Sequence, residues 1–94
     1  MRIAQIVGTV TLNECHPSFA GARLRLAVPF TCEELAEGTP YRGDTVVVWD
    51  ELGAGIGSAI ALSEGPEAAQ PFRPRIKPVD AYNAAILDHI ELAD

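Results

Sequence analysis

Few residues in this 94-residue chain have types able to carry chemistry, and their spacing favours packing over catalysis. Gly53-Ala54-Gly55-Ile56-Gly57-Ser58 sets three glycines within five positions, a stretch of backbone without β-carbons that another group can approach closely. A dinucleotide site needs such glycines between a strand and a helix, with an acidic residue about 20 positions further on. Here Ser58 to Ser63 reads as another strand, so no helix N-terminus awaits a phosphate. No Gly-Lys-Ser/Thr follows either, which excludes a phosphate-binding P-loop. Gly53, Ala54, Gly55, Ile56 and Gly57 are therefore expected to pack, with a neighbouring subunit as the favoured partner.

The remaining candidates are weaker. Cys15, His16, Cys32 and His89 carry metal-capable atoms, but no pair has zinc-site spacing, and an adjacent Cys-His rarely turns both side chains on one ion. No metal and no cofactor is expected. A nucleophile and base can be sketched from Cys15 or Ser63 with His16 or His89, without support from spacing. Asp50-Glu51, Glu33-Glu34 and Asp88 with Glu91 read as solvated surface rather than acid/base couples. Arg73-Pro74-Arg75-Ile76-Lys77 is the basic cluster, an arm kept extended by proline and suited to an acidic neighbour in an assembly.

Composition narrows the partners. Thirteen acidic against seven basic residues give a net charge of −6, the wrong sign for neutralising nucleic-acid phosphates or an anionic membrane surface. No apolar run approaches the roughly 20 residues of a membrane-spanning helix. The opening Met1-Arg2-Ile3-Ala4-Gln5-Ile6-Val7-Gly8 is strand-like rather than signal-like, and two cysteines without a CxxC pattern suit a reducing cytosol. The chain is read as one domain, residues 1–94, small enough for oligomerisation to be a source of stability.

The elements that must position these residues are short. Ile3 to Leu12 is rich in β-branched residues and reads as the first strand, with Gly8 marking a bend or bulge. Arg23 to Val28 alternates, placing Leu24, Leu26 and Val28 on one face as the expected core face. Thr31-Cys32-Glu33-Glu34-Leu35 has the pattern of a capped helical turn, Thr31 with Glu34, and Gly38, Pro40 and Gly43 keep it short. Thr45 to Asp50 is the clearest strand, and Ser58 to Ser63 is the fourth. Glu64 to Pro78 holds four of the seven prolines and no periodicity, so it reads as a loop or arm. Pro78 to Ala84 suggests a short helix start with a strand over Ala85 to Ile90, while a single helix over Val79 to Leu92 competes. The expectation is all-β: a small OB-like β-barrel with one short helix near the C-terminus.

Four segments in order also resemble the EutN/CcmL family of bacterial microcompartment vertex proteins. Met1 to Val10 is similar to the family's opening strand with its "VGTV"; Pro17 to Leu26 is similar to "dPsLtGlKLLlV". Asp50-Glu51-Leu52-Gly53-Ala54-Gly55-Ile56-Gly57 resembles "DavGAGvG", and Pro78-Val79-Asp80-Ala81 with Ile86-Leu87-Asp88 resembles "PvDAaivgiiD". Ser63 to Gln70 departs from the family's "srGSSAR", lacking its arginine and carrying two acids. The resemblance implies an OB-like barrel, a homo-pentamer and a non-enzymatic role in the cytoplasm, capping the corners of a shell tiled by hexameric shell proteins. It agrees with the glycine loop as a ring contact and with Arg73, Arg75 and Lys77 as contacts to shell tiles. The alternative is an OB-type module binding a ligand with the glycine loop.

Overall fold

The computed structural model describes residues 1–37 and 43–93. Five strands, β1 (Arg2–Val10), β2 (Leu24–Pro29), β3 (Val46–Trp49), β4 (Ala59–Glu64) and β5 (Ala81–Leu87), close a barrel in the order β1-β2-β3-β5-β4. Closure pairs most of the described strand backbone, which answers the hazard of an open sheet edge except along the β3–β5 seam. Most neighbours are antiparallel; β3 and β5 are parallel and meet at one bridge, Trp49 with Tyr82. The expected irregularity at Gly8 is present, the β1–β2 register shifting between Ile6 and Gly8.

One short α-helix, α1 (Cys32–Glu37), lies between β2 and β3. Its start is the expected capping box: Glu34 N donates to Thr31 Oγ1 at 3.1 Å, and Thr31 N to Glu34 Oε1 at 3.1 Å. Gly38 and Pro40, read as limits on this helix, lie outside the described residues. The C-terminal segment is corrected: residues Ala81–Leu87 form a strand, not a helix near the C-terminus. The helical preference of alanine is worth only a few tenths of a kcal/mol per residue over its neighbours, roughly 0.7 at most. Pairing along β4 from Ala59–Leu87 to Glu64–Ala81 closes the barrel and outweighs it. Within the stretch read as a loop, Gly65–Phe72 folds as a 3-10 helix with Ala68 and Phe72 buried.

Two apolar clusters share the β2–β3 ribbon, one on each face. Inside the barrel are Ala4 and Ile6 of β1, Ala27, Val48, Ile60, Leu62 and Ala81. Outside, Leu24 and Trp49 pack with Phe72 of the 3-10 helix, flanked by Phe19 and Tyr82. Trp49 meets Phe72 edge-on at 4.8 Å and Phe19 at 5.8 Å between ring centroids. Of the β2 face expected to enter the core, Leu24 and Val28 are buried, Leu24 in the outer cluster, while Leu26 is half-buried; the barrel interior itself takes Ala27 from the other face. Strand alternation puts Arg25, Asp50 and Asn83 on the inner side with Ala27, Val48 and Ala81.

Candidate functional site

Asp50 follows the last residue of β3, where the alternation of Val46 and Val48 carries its side chain into the end of the barrel. It is fully buried. A buried carboxylate is tolerated only when its oxygens are satisfied. Oδ1 accepts from Leu52 N at 3.0 Å and from Asn83 Nδ2 at 3.0 Å; Oδ2 accepts from Ala54 N at 2.8 Å. Arg25 Nε lies 3.4 Å from Oδ2 and donates to Ala54 O at 3.1 Å. Burial pushes the Asp50 pKa upward, but the Asn83 amide, the Leu52 and Ala54 amides and the Arg25 charge together outweigh it and hold the group below its ordinary value. Asp50, read from sequence as solvated surface, is instead the anion around which the next four residues fold. The signal was available: aspartate at the end of an apolar strand, three residues before a glycine-rich stretch, is the pattern of an Asx turn.

The loop over this cluster is fixed at both ends. Gly57 N donates to Ile6 O at 2.8 Å, Ile6 N to Ser58 O at 2.9 Å, and Ser58 N to Gly55 O at 3.1 Å. Ala54 is 1 % exposed and belongs to the barrel core, so it anchors the loop from within. Gly53, Gly55, Ile56 and Gly57 face outward, Ile56 at 72 % exposure. Gly53 and Gly57 have φ of +79° and +93°, which residues other than glycine adopt at a cost. Gly55 differs: its φ is not positive, and a β-carbon there would meet nothing within 4 Å. Among the described residues, no contact calls for glycine at this position.

The loop amides bear on the ligand-binding alternative, because two of them, Leu52 N and Ala54 N, are already held by the Asp50 carboxylate. The basic arm divides in two. Lys77 turns back on its own chain, its Nζ donating to Ser18 O at 2.6 Å and lying 5.6 Å from the Trp49 ring centroid. Arg73 and Arg75 are exposed, and Ile76 between Arg75 and Lys77 is 92 % exposed. His16 caps the one-turn 3-10 helix Pro17–Phe19, its Nδ1 accepting from Ser18 N at 3.1 Å, while Cys15 and Cys32 are exposed free thiols.

Comparison with known proteins gives this loop its setting. The sequence matches the family described as "Ethanolamine utilisation protein EutN/carboxysome" over residues 1–88. The chain belongs to the EutN/CcmL family. A relative from Salmonella typhimurium LT2, the bacterial microcompartment shell vertex protein PduN, is 31% identical over 88 residues, spanning 94% of this chain and 96% of the relative. The carboxysome shell vertex protein CcmL of Nostoc sp. PCC 7120 is 33% identical over 94 residues, covering 100% of this chain and 89% of its own. Among solved structures, the GrpN pentameric microcompartment shell protein from Rhodospirillum rubrum superposes with a TM-score of 0.82 at 29% identity, covering 99% of this chain and 100% of that one.

The family assignment accounts for the motif order that the sequence displays, and Asp50 to Gly57 is the part of it whose local geometry is most constrained. One of the two acids in the divergent Ser63 to Gln70 stretch makes a defined contact. Glu64 receives a two-pronged contact from Arg2, Nε to Oε1 at 2.6 Å and Nη2 to Oε2 at 2.8 Å, which ties β4 to the start of β1.

Proposed function

We propose that this EutN/CcmL family member is a structural protein that assembles as a cyclic pentamer and caps the vertices of a polyhedral bacterial microcompartment. The observation that carries the reading is the end-to-end match, in sequence and in fold, to relatives described as shell vertex proteins and to a pentameric shell protein. The work is done by shape and symmetry in the cytoplasm, as part of the shell, and not by catalysis. Flat hexagonal tiling closes into a polyhedron only with fivefold points, and a ring built from one repeated head-to-tail contact supplies that symmetry.

The outward residues Gly53, Gly55, Ile56 and Gly57 are the ring contact, with Ala54 holding them in place. The absence, among the described residues, of a contact that calls for glycine at position 55 supports this, because a close neighbour supplies one. Hexameric shell tiles are the outer partners, met by Arg73 and Arg75 with the exposed Ile76 beside them. Lys77, engaged with Ser18 and Trp49, serves the arm from inside.

Gly55→Arg tests the ring contact. The variant is expected to stay soluble and folded while losing the ring; an intact pentamer would overturn the assignment. Arg73→Ser with Arg75→Ser is expected to weaken co-assembly with hexameric tiles while leaving the ring whole, and unchanged co-assembly would reject the arm.

A further inference from the structure

We infer that Asp50, with Asn83 and Arg25, is the positioning group of the ring contact: a buried ionic cluster that sets the shape of the Gly53–Gly57 loop from inside the barrel. The inference rests on the assembly reading above and names the residues that make it possible.

Three observations carry it. First, no part of Asp50 is exposed, so it cannot itself touch a neighbour. Second, its two oxygens draw on three separate places: they accept from the loop amides of Leu52 and Ala54 and from Asn83 on β5, and they pair ionically with Arg25 on β2. Arg25 also grips the loop from its other side through the Ala54 carbonyl. Third, the cluster stands where the barrel has least backbone to hold it. β3 and β5 share the single bridge at Trp49 and Tyr82, and the Asp50–Asn83 contact crosses that same seam as a side-chain stitch. Loop shape and seam closure are therefore set by one carboxylate.

The charge is needed, not only the shape. A carboxylate is an acceptor on both oxygens, whereas an amide of the same outline offers one acceptor and one donor group. In Asp50→Asn the introduced amide nitrogen must face a backbone N–H, the Asn83 amide or Arg25, all of which are donors. One acceptor does stand nearby: Asn83 Oδ1 is buried without a hydrogen-bond partner among the described residues. Donating to that oxygen would oblige the introduced amide to give up Leu52 N on the same side, so the loop still loses a bond.

The experiment compares wild type, Asp50→Asn and Arg25→Gln by native mass spectrometry across chain concentration and by amide hydrogen exchange. Asp50→Asn is expected to shift ring dissociation to at least about tenfold higher chain concentration. At least one of the Leu52 and Ala54 amides is expected to exchange roughly 10- to 100-fold faster, the ratio that matches a hydrogen bond to a charged acceptor. The Phe30 amide, bonded to Ile3 O at the far end of the β1–β2 pair, is expected to keep its protection. That separation of loop from barrel is what a merely structural role would not produce. A folded Asp50→Asn protein with wild-type ring stability overturns the inference, as does equal loss of protection at loop and barrel. Should Asp50→Asn fail to fold, Arg25→Gln decides by the same two readouts, and no change in either overturns it. A wild type that forms no ring sinks the assembly reading instead; loop-amide exchange in the variants then still decides whether the cluster shapes the loop.

Discussion

At the scale of the residue, the pH behaviour of Asp50 is set by its neighbours. Its folded pKa is depressed, so its contribution to stability is present above the unfolded carboxylate value of about 3.9. That contribution falls as pH drops through this value and is gone below the folded one. The melting temperature of wild type is expected to fall more steeply than that of Asp50→Asn on acidification from about pH 5 to pH 3. Parallel curves would contradict the role assigned to the charge. The glycines separate in a similar way. Gly53→Ala and Gly57→Ala are expected to lower barrel stability by about 1–2 kcal/mol each, because both sit at positive φ. Gly55→Ala is expected to leave the barrel untouched and act on the ring alone; equal losses at all three positions in urea unfolding would refute this distinction. The sequence displayed the glycines but hid the anchor beneath them. Asp50 beside Glu51 reads as a surface pair; the Asx-turn pattern marks it as a loop anchor, but its burial shows only in the inward phase of Val46, Val48 and Asp50 together with Arg25 and Asn83 from distant strands.

At the scale of the element, local signals were legible and non-local ones were not. Thr31 and Glu34 announce the start of α1 because both capping bonds lie within four residues. Thr31→Ala is accordingly expected to cost about 1 kcal/mol at most, confined to that turn, as read by urea unfolding. The C-terminal strand was obscured because Ala84 and Ala85 carry a helical preference, and the β4 partner that overrides it stands about 20 residues away in sequence. The side of β2 that enters the barrel was obscured too. Alternation groups Leu24, Leu26 and Val28 correctly, but the existence of a second cluster around Trp49 and Phe72 decides which face points inward. Phe72 is the pin between that cluster and the 3-10 helix, being 4 % exposed and edge-on to both Trp49 and Tyr82. Phe72→Ala is expected to destabilise the chain by about 3–5 kcal/mol. A loss below about 1 kcal/mol would mean that the outer cluster contributes little. The Arg2–Glu64 pair lies at the surface, so its removal is expected to cost less than about 1 kcal/mol despite its good geometry.

At the scale of the whole molecule, the proposed assembly makes the closed barrel, its outward glycine loop and its inward ionic anchor one repeated unit of a ring. Five copies of a chain with net charge −6 repel one another, so salt is expected to strengthen the ring by screening that repulsion. A ring that stabilises its protomers also makes the melting temperature rise with chain concentration. The most direct measurement of the proposed assembly is the native mass of the untagged protein. The expected result is a dominant species of about 50 kDa, five chains of 10.0 kDa each, which gives way to monomer in Gly55→Arg. A wild-type protein that remains a monomer or dimer at micromolar concentration would contradict it.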